Sequence, residues 1–261
     1  MSEQQNIIQT KNLSIGYTTK SETITISENI NLSLEKGKLI ALIGENGIGK
    51  STLLKTLTGL IPPIKGEVTL LNKSLKNFKP LDLAQELSIV LTEKLPPSNL
   101  TVYEIIALGR QPYTNWLGTL SNEDKIKIDE AIALTDIQHL IHKKHDEISD
   151  GQLQIALIAR ALAQDTSIII LDEPTTHLDL VHKATLLKLL LKLTHETGKT
   201  ILYSTHDIDL AIQMTDEMIV FTSTQIVIDQ PCNLIRTGIF NTLFDTEHLL
   251  FDPTIGKFKI K

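Results

Sequence analysis

The stretch Gly44-Glu45-Asn46-Gly47-Ile48-Gly49-Lys50-Ser51-Thr52 has residue types at a spacing that suits one task, holding a chain of phosphates. Its glycines let a backbone turn tightly and come close to an anion. The loop N–H groups and the first turn of a following helix then face the phosphates. In this pattern Lys50 reaches the β- and γ-phosphates, and the Ser51 hydroxyl sits on Mg2+. The competing reading is a glycine-rich turn that matches by chance, and the flanking sequence argues against it. The apolar run Leu39-Ile40-Ala41-Leu42-Ile43 reads as a buried strand, and Leu53, Leu54, Leu57 and Leu60 follow at helical spacing. Strand, loop and helix together imply binding of a nucleoside triphosphate.

Three further groups could share that chemistry. Ile168-Ile169-Ile170-Leu171 runs into Asp172-Glu173, and an acidic pair at the end of a buried strand is costly unless it has a role. In a phosphate-loop protein the first carboxylate holds Mg2+ through its water shell, and the second takes a proton from the attacking water. Ser149, with Gln152 three positions on, matches a capping box at the start of a helix. A capped helix start with a glycine, Gly151, is also an anion site, and both roles are compatible. His206 follows the apolar strand Thr200-Ile201-Leu202-Tyr203-Ser204, at the end of a parallel strand where open α/β sheets build their sites. An imidazole there can hydrogen-bond a γ-phosphate. Tyr17 closes an early strand, either as a surface aromatic or as a ring that stacks on a base.

The elements that must position these residues follow from pattern. Residues 7–43 alternate short β-like pieces with turns, which predicts an antiparallel β-rich opening. After the first helix come a strand at 67–71, a short helix at 81–86 and a strand at 87–91. Helical signals dominate residues 93–148, with helices from Val102, behind Thr101, and over 122–134. The loop between them, with Arg110, Tyr113 and the only Trp, Trp116, is either a small core of its own or a docking surface for a protein. Residues 149–221 return to an α/β rhythm. The helix over 180–194 is read with Val181, Ala184, Leu187 and Leu191 inward, and Gly198 ends it. Apolar strands between helices imply a parallel sheet covered on both faces. The expected fold is therefore α/β, a phosphate-loop NTPase core with a mostly parallel sheet, an antiparallel β subdomain at the N-terminus and an α-helical insert at about 94–163. Residues 222–261, short strands and one helical piece, show no readable chemistry, and 1–261 is read as one domain.

Composition narrows the partners. The net charge of −6 argues against a nucleic-acid surface. No apolar run approaches the ~20 residues needed to span a bilayer. The first residues have neither a basic start nor an apolar core, so no signal peptide is expected. A lone cysteine, Cys232, excludes an internal disulfide and a cysteine-built metal site.

Taken in order, these motifs resemble the ATP-binding cassette ATPases, the motor subunits of ABC transporters, over residues 6–225. Residues 44–52 match the Walker A loop, and 168–173 resemble Walker B. Pro174 to Asp179 resembles the D-loop with Asp179 its acid, His206 matches the switch histidine, and Tyr17 falls where the family stacks an aromatic on adenine. The signature reads Ile148-Ser149-Asp150-Gly151-Gln152 where L-S-G-G-Q is usual, and Glu93 stands where a Mg2+-binding glutamine is usual. A glutamate keeps an oxygen for Mg2+ or its water but adds a negative charge.

The resemblance implies ATP and Mg2+, with Ser51, Glu93 and Asp172 toward the metal and Glu173 and His206 catalytic. It implies two cassettes that sandwich ATP between the Walker A of one and the Ser149, Gly151 and Gln152 of the other. It also implies a membrane permease pressed by the helical insert, a solute-binding protein acting indirectly, and a cytoplasmic place on the inner face of the cell membrane. Leu108 to Tyr113, Trp116-Leu117-Gly118 and Pro174 to Leu180 resemble the importers of ferric siderophores, haem and cobalamin. The alternative is a soluble cassette ATPase without a transport role, such as an assembly factor.

Overall fold

The short strands expected at the N-terminus are joined in the structure into one long strand, β1, Asn6–Thr18. It stays continuous because Asn12 takes a left-handed conformation (φ 44°) and the pairing register shifts between Lys11 and Ser14, which keeps Ile7, Ile8, Leu13 and Ile15 all buried. The structure is a computed structural model that describes residues 5–92, 98–176, 178–244 and 249–260. Its contacts sort into two units, Met1–Phe78 with Thr200–Lys261, and Lys79–Lys199.

In the first unit β2 (Thr23–Ile30) and β3 (Ser33–Glu35) pair antiparallel with β1. The fully buried β4 (Leu39–Gly44) leads through the loop to α1 (Lys50–Leu57). Leu60, read as part of that helix, lies beyond it: the helix ends at Thr58, Gly59 turns left-handed (φ 74°), and Leu60 is exposed. Then β5 (Lys65–Leu70) pairs antiparallel with β1 and with β6 (Lys73–Ser74). The antiparallel opening is thus borne out.

The second unit begins with α2 (Pro80–Glu86) and β7 (Leu87–Val90). The insert follows as α3 (Val102–Ala107), a 3₁₀ turn over Leu108–Tyr113, and α4 (Asn122–Thr135). Then come α5 (Asp150–Ala163), β8 (Ile168–Leu171) and α6 (Leu180–Thr197). Strands β7 and β8 pair in parallel. Three of these helices start on capping boxes, Thr101 with Glu104, Ser121 with Asp124, and Ser149 with Gln152.

Two expectations for this unit are corrected. Val181, expected inward on α6, is 72% exposed; the buried stripe is Leu186, Leu187, Leu190, Leu193 and Thr194. Val181 precedes Leu190 by nine positions, which at about 100° per residue sets the two on opposite faces. Arg110, weighed as part of a docking surface, is only 4% exposed. Its Nε donates to Asp124 Oδ1 (2.8 Å), an Nη donates to the Ala163 carbonyl (2.9 Å), and the guanidinium lies over the Tyr113 ring (3.8 Å to the centroid). Arg110 thus belongs to a small core, while Trp116 is 91% exposed and Leu117 lies open beside it.

The chain returns to the first unit with β9 (Thr200–Ser204), α7 (Ile208–Met214), β10 (Glu217–Phe221) and β11 (Ile226–Asp229). Strand β4 is flanked in parallel by β10 and β9, and β11 pairs antiparallel on β10. The last elements are α8 (Pro231–Thr237) and the hairpin β12 (Leu249–Asp252) with β13 (Lys257–Ile260). A core of their own forms there, with Phe240 stacked on Phe251 (4.6 Å) and Phe258 edge-on to Phe251 (5.1 Å). Among the described residues no helix is long and apolar enough to cross a membrane.

Burial alone would push the Asp124 carboxyl up, but hydrogen bonds from Ser121 and Arg110 outweigh it and hold the carboxyl below its ordinary range. That stability is present above the ordinary carboxylate pKa and is lost as pH falls through the depressed one. We expect Asp124→Asn to cost about 1.5–3 kcal/mol in urea unfolding at neutral pH. The gap from the wild type should narrow below about pH 4. Tyr203, buried in β9, has a hydroxyl without a hydrogen-bond partner among the described residues. Tyr203→Phe should therefore leave the free energy of urea unfolding unchanged or raise it, by up to about 1 kcal/mol; a clear drop would show that the hydroxyl has a partner.

Candidate nucleotide site

The first unit builds the phosphate loop. Strand β4 delivers the chain to Gly44, where a β-carbon would fall 2.6 Å from the Phe221 carbonyl oxygen of β10. Gly47 (φ 78°) and Gly49 (φ 114°) are left-handed, and a β-carbon on Gly49 would meet Ile26 Cγ2 at 2.6 Å. Glu45, Asn46 and Ile48 fill the loop between these glycines, and the Ile48 N–H faces the Glu45 carbonyl across it (3.4 Å). Lys50, in the first turn of α1, is buried, and its Nζ donates to the carbonyls of Gly44 and Glu45, both at 2.9 Å. The ammonium is thereby held across the mouth of the loop, and it is the charge a phosphate would meet. Ser51 and Thr52 follow in the same turn.

Tyr17, at the end of β1, is half exposed, and its hydroxyl is 2.9 Å from Thr52 Oγ1. The ring is thus tied to the loop's own helix, which suits a platform beside the phosphates. The parallel register sets Leu42 of β4 against Ser204 of β9, and the Thr205 N–H donates to the Leu42 carbonyl (3.1 Å). His206, exposed and two residues past the end of β9, is therefore at the same end of the sheet as the phosphate loop.

The second unit holds the remaining residues. Strand β8 ends at Leu171, and the next N–H, of the buried Asp172, donates to the Val90 carbonyl (2.9 Å). Glu173 takes a left-handed conformation (φ 47°), uncommon for a residue with a side chain. Ser149 caps α5: its Oγ accepts from the Gln152 N–H (3.3 Å), and Gln152 Oε1 accepts from the Ser149 N–H (3.1 Å). Ser149 is exposed, and a β-carbon on Gly151 would sit 3.2 Å from Leu178 Cδ2. An exposed helix start of this kind suits an anion carried by another molecule. Asp179 caps α6, accepting from the His182 N–H (2.9 Å) and pairing with His182 Nδ1 (2.8 Å); these bonds hold its carboxyl below the ordinary range. Glu93 and His177 lie outside the described residues.

Sequence pattern assigns Thr176 no role, yet its Oγ1 donates to Glu173 Oε2 (3.1 Å). A hydroxyl three residues after an acid at a strand end is a signal for such a bond. The Tyr17–Thr52 bond joins residues far apart in sequence, and nothing local foreshadows it.

Comparison with known proteins gives this arrangement its context. Residues 27–176, more than half of the chain, match the family described as ABC transporter. The iron(3+)-hydroxamate import ATP-binding protein FhuC of Bacillus subtilis is 37% identical over 97% of this chain and 93% of its own length. Among solved structures, an inward-facing transporter described as of metal-chelate type superposes with a TM-score of 0.78 at 26% identity, covering 92% of this chain and 89% of that one. A dimeric ATP-binding cassette in a post-hydrolysis state, bound to ADP and Pi, gives a TM-score of 0.73 at 29% identity over 86% of this chain and 99% of that one. With a phosphate-loop NTPase fold, a glycine-built loop around a buried lysine and this similarity along nearly its whole length, the chain belongs to the ABC transporter family, as an ATP-binding subunit whose ATPase activity is coupled to transport.

Proposed function

We propose that this chain is the ATPase subunit of an importer for ferric siderophores or a related metal chelate, the class that includes haem and cobalamin. The observation that carries the cargo class is the 37% identity to the hydroxamate import subunit over 97% of the chain. The metal-chelate transporter with the same fold supports it. Both of these proteins are described as transport proteins, and a soluble assembly role has no observation in its favour.

ATP would lie with its phosphates in the cradle of residues 44–52 and its adenine on Tyr17. Lys50, already held at the loop mouth by two carbonyls, would exchange them for phosphate oxygens. The Ser51 hydroxyl and the Asp172 carboxylate are hard oxygen donors of the kind that suits Mg2+, with Glu93 a third by resemblance. Mg2+ supplies neutralisation of the β- and γ-phosphate charge. Glu173 takes a proton from the attacking water as its oxygen bonds to the γ-phosphorus. The bond to the β–γ bridging oxygen breaks, and ADP and phosphate leave. His206 donates to the γ-phosphate. Ser149, Gly151 and Gln152 of a second copy would contact the same phosphate, since that helix start is open and capped by its own side chains. Asp179 would lie along the contact between the two copies.

The assembly would sit on the cytoplasmic face of the cell membrane, against a permease served by a solute-binding protein on the other side. Glu173→Gln should lower ATP turnover roughly 10²-fold or more while ATP binding persists; unchanged turnover would remove Glu173 as the base. The same variant, purified from its native cell in mild detergent with ATP, should bring a polytopic membrane protein with it. Recovery of soluble partners alone would favour the assembly-factor reading instead.

A further inference from the structure

We infer that Thr176 is a positioning residue for the Glu173 carboxylate. Glu173 stands directly after Asp172 with a left-handed backbone (φ 47°), a strained conformation that persists only where its surroundings impose it. Thr176 engages both ends of that residue. Its N–H donates to the Glu173 carbonyl (3.2 Å), closing the turn, and its Oγ1 donates to Glu173 Oε2 (3.1 Å), restraining the carboxylate. A glutamate has three side-chain torsions, and the last is broad, so the turn alone does not fix where its oxygens point. The hydroxyl restrains them. Thr176 itself is exposed, so loss of its hydroxyl leaves the fold intact.

This inference rests on Glu173 being the base, and the test separates the two. Steady-state ATP hydrolysis by the full chain is measured over a range of ATP concentrations for the wild type, Glu173→Gln, Thr176→Val and Thr176→Ser. Thr176→Val should lower kcat roughly tenfold, the effect of losing one hydrogen bond to a charged group. The KM for ATP should be unchanged. Thr176→Ser, which keeps the hydroxyl, should behave like the wild type. If Thr176→Val matches the wild type in kcat while Glu173→Gln is inactive, the base stands and the positioning role is overturned. It is overturned equally if Ser and Val are impaired alike, because space and not the hydroxyl then matters. An active Glu173→Gln removes the base and this inference together.

Discussion

At Gly49 the chain turns where only glycine fits. The backbone is left-handed, and a β-carbon there would come within 2.6 Å of Ile26. This close approach lets the loop fold tightly enough for Lys50 to reach back to the carbonyls of Gly44 and Glu45. It depends in turn on β2, which supplies Ile26, and on β10, whose Phe221 rim closes the other side. The antiparallel opening is therefore more than decoration on a nucleotide-binding core. By packing against the loop it fixes the left-handed turn at Gly49, and through Tyr17 it adds a ring tied to the same helix.

The second unit uses a different device. Helix α5 starts at the open cap of Ser149 and ends where Arg110 grips the Ala163 carbonyl and Gln164 Nε2 donates to the carbonyls of Ala84 and Leu87. At Gly109 the preceding turn runs so close to α5 that a β-carbon would fall 2.1 Å from the Arg160 carbonyl oxygen. The helix is thus fastened both to the insert and to β7, the partner of β8, at whose end Asp172 and Glu173 stand. Buried charge is tolerated at Arg110 because Asp124, a carbonyl and an aromatic face all meet it.

Much of this was legible in the sequence because backbone physics restricts residue type. Glycines before Lys50, a serine with Gln152 three places on, Gly198 past a helix and acids after an apolar strand each suit few local structures besides the one found. What was not legible depends on tertiary contacts. Arg110 and Trp116 stand six positions apart in one polar–aromatic loop, yet one is buried and the other open, because Arg110 meets Asp124 and the Ala163 carbonyl from distant parts of the sequence. Val181 fits an apolar stripe by type and fails by angle, because the stripe is set by what the middle of α6 packs against. The length of β1 depends on a single left-handed asparagine, which sequence pattern reads as a turn.

The open setting of Trp116 has an optical consequence. As the only tryptophan in the chain, it makes the intrinsic indole emission of this protein a signal from a single place, the rim of the helical insert. In the free chain that indole is bathed in water. Anything that covers the rim dries it, and the colour of the emission then reports contact at the insert, with no introduced dye and no second fluorophore of its kind to disentangle.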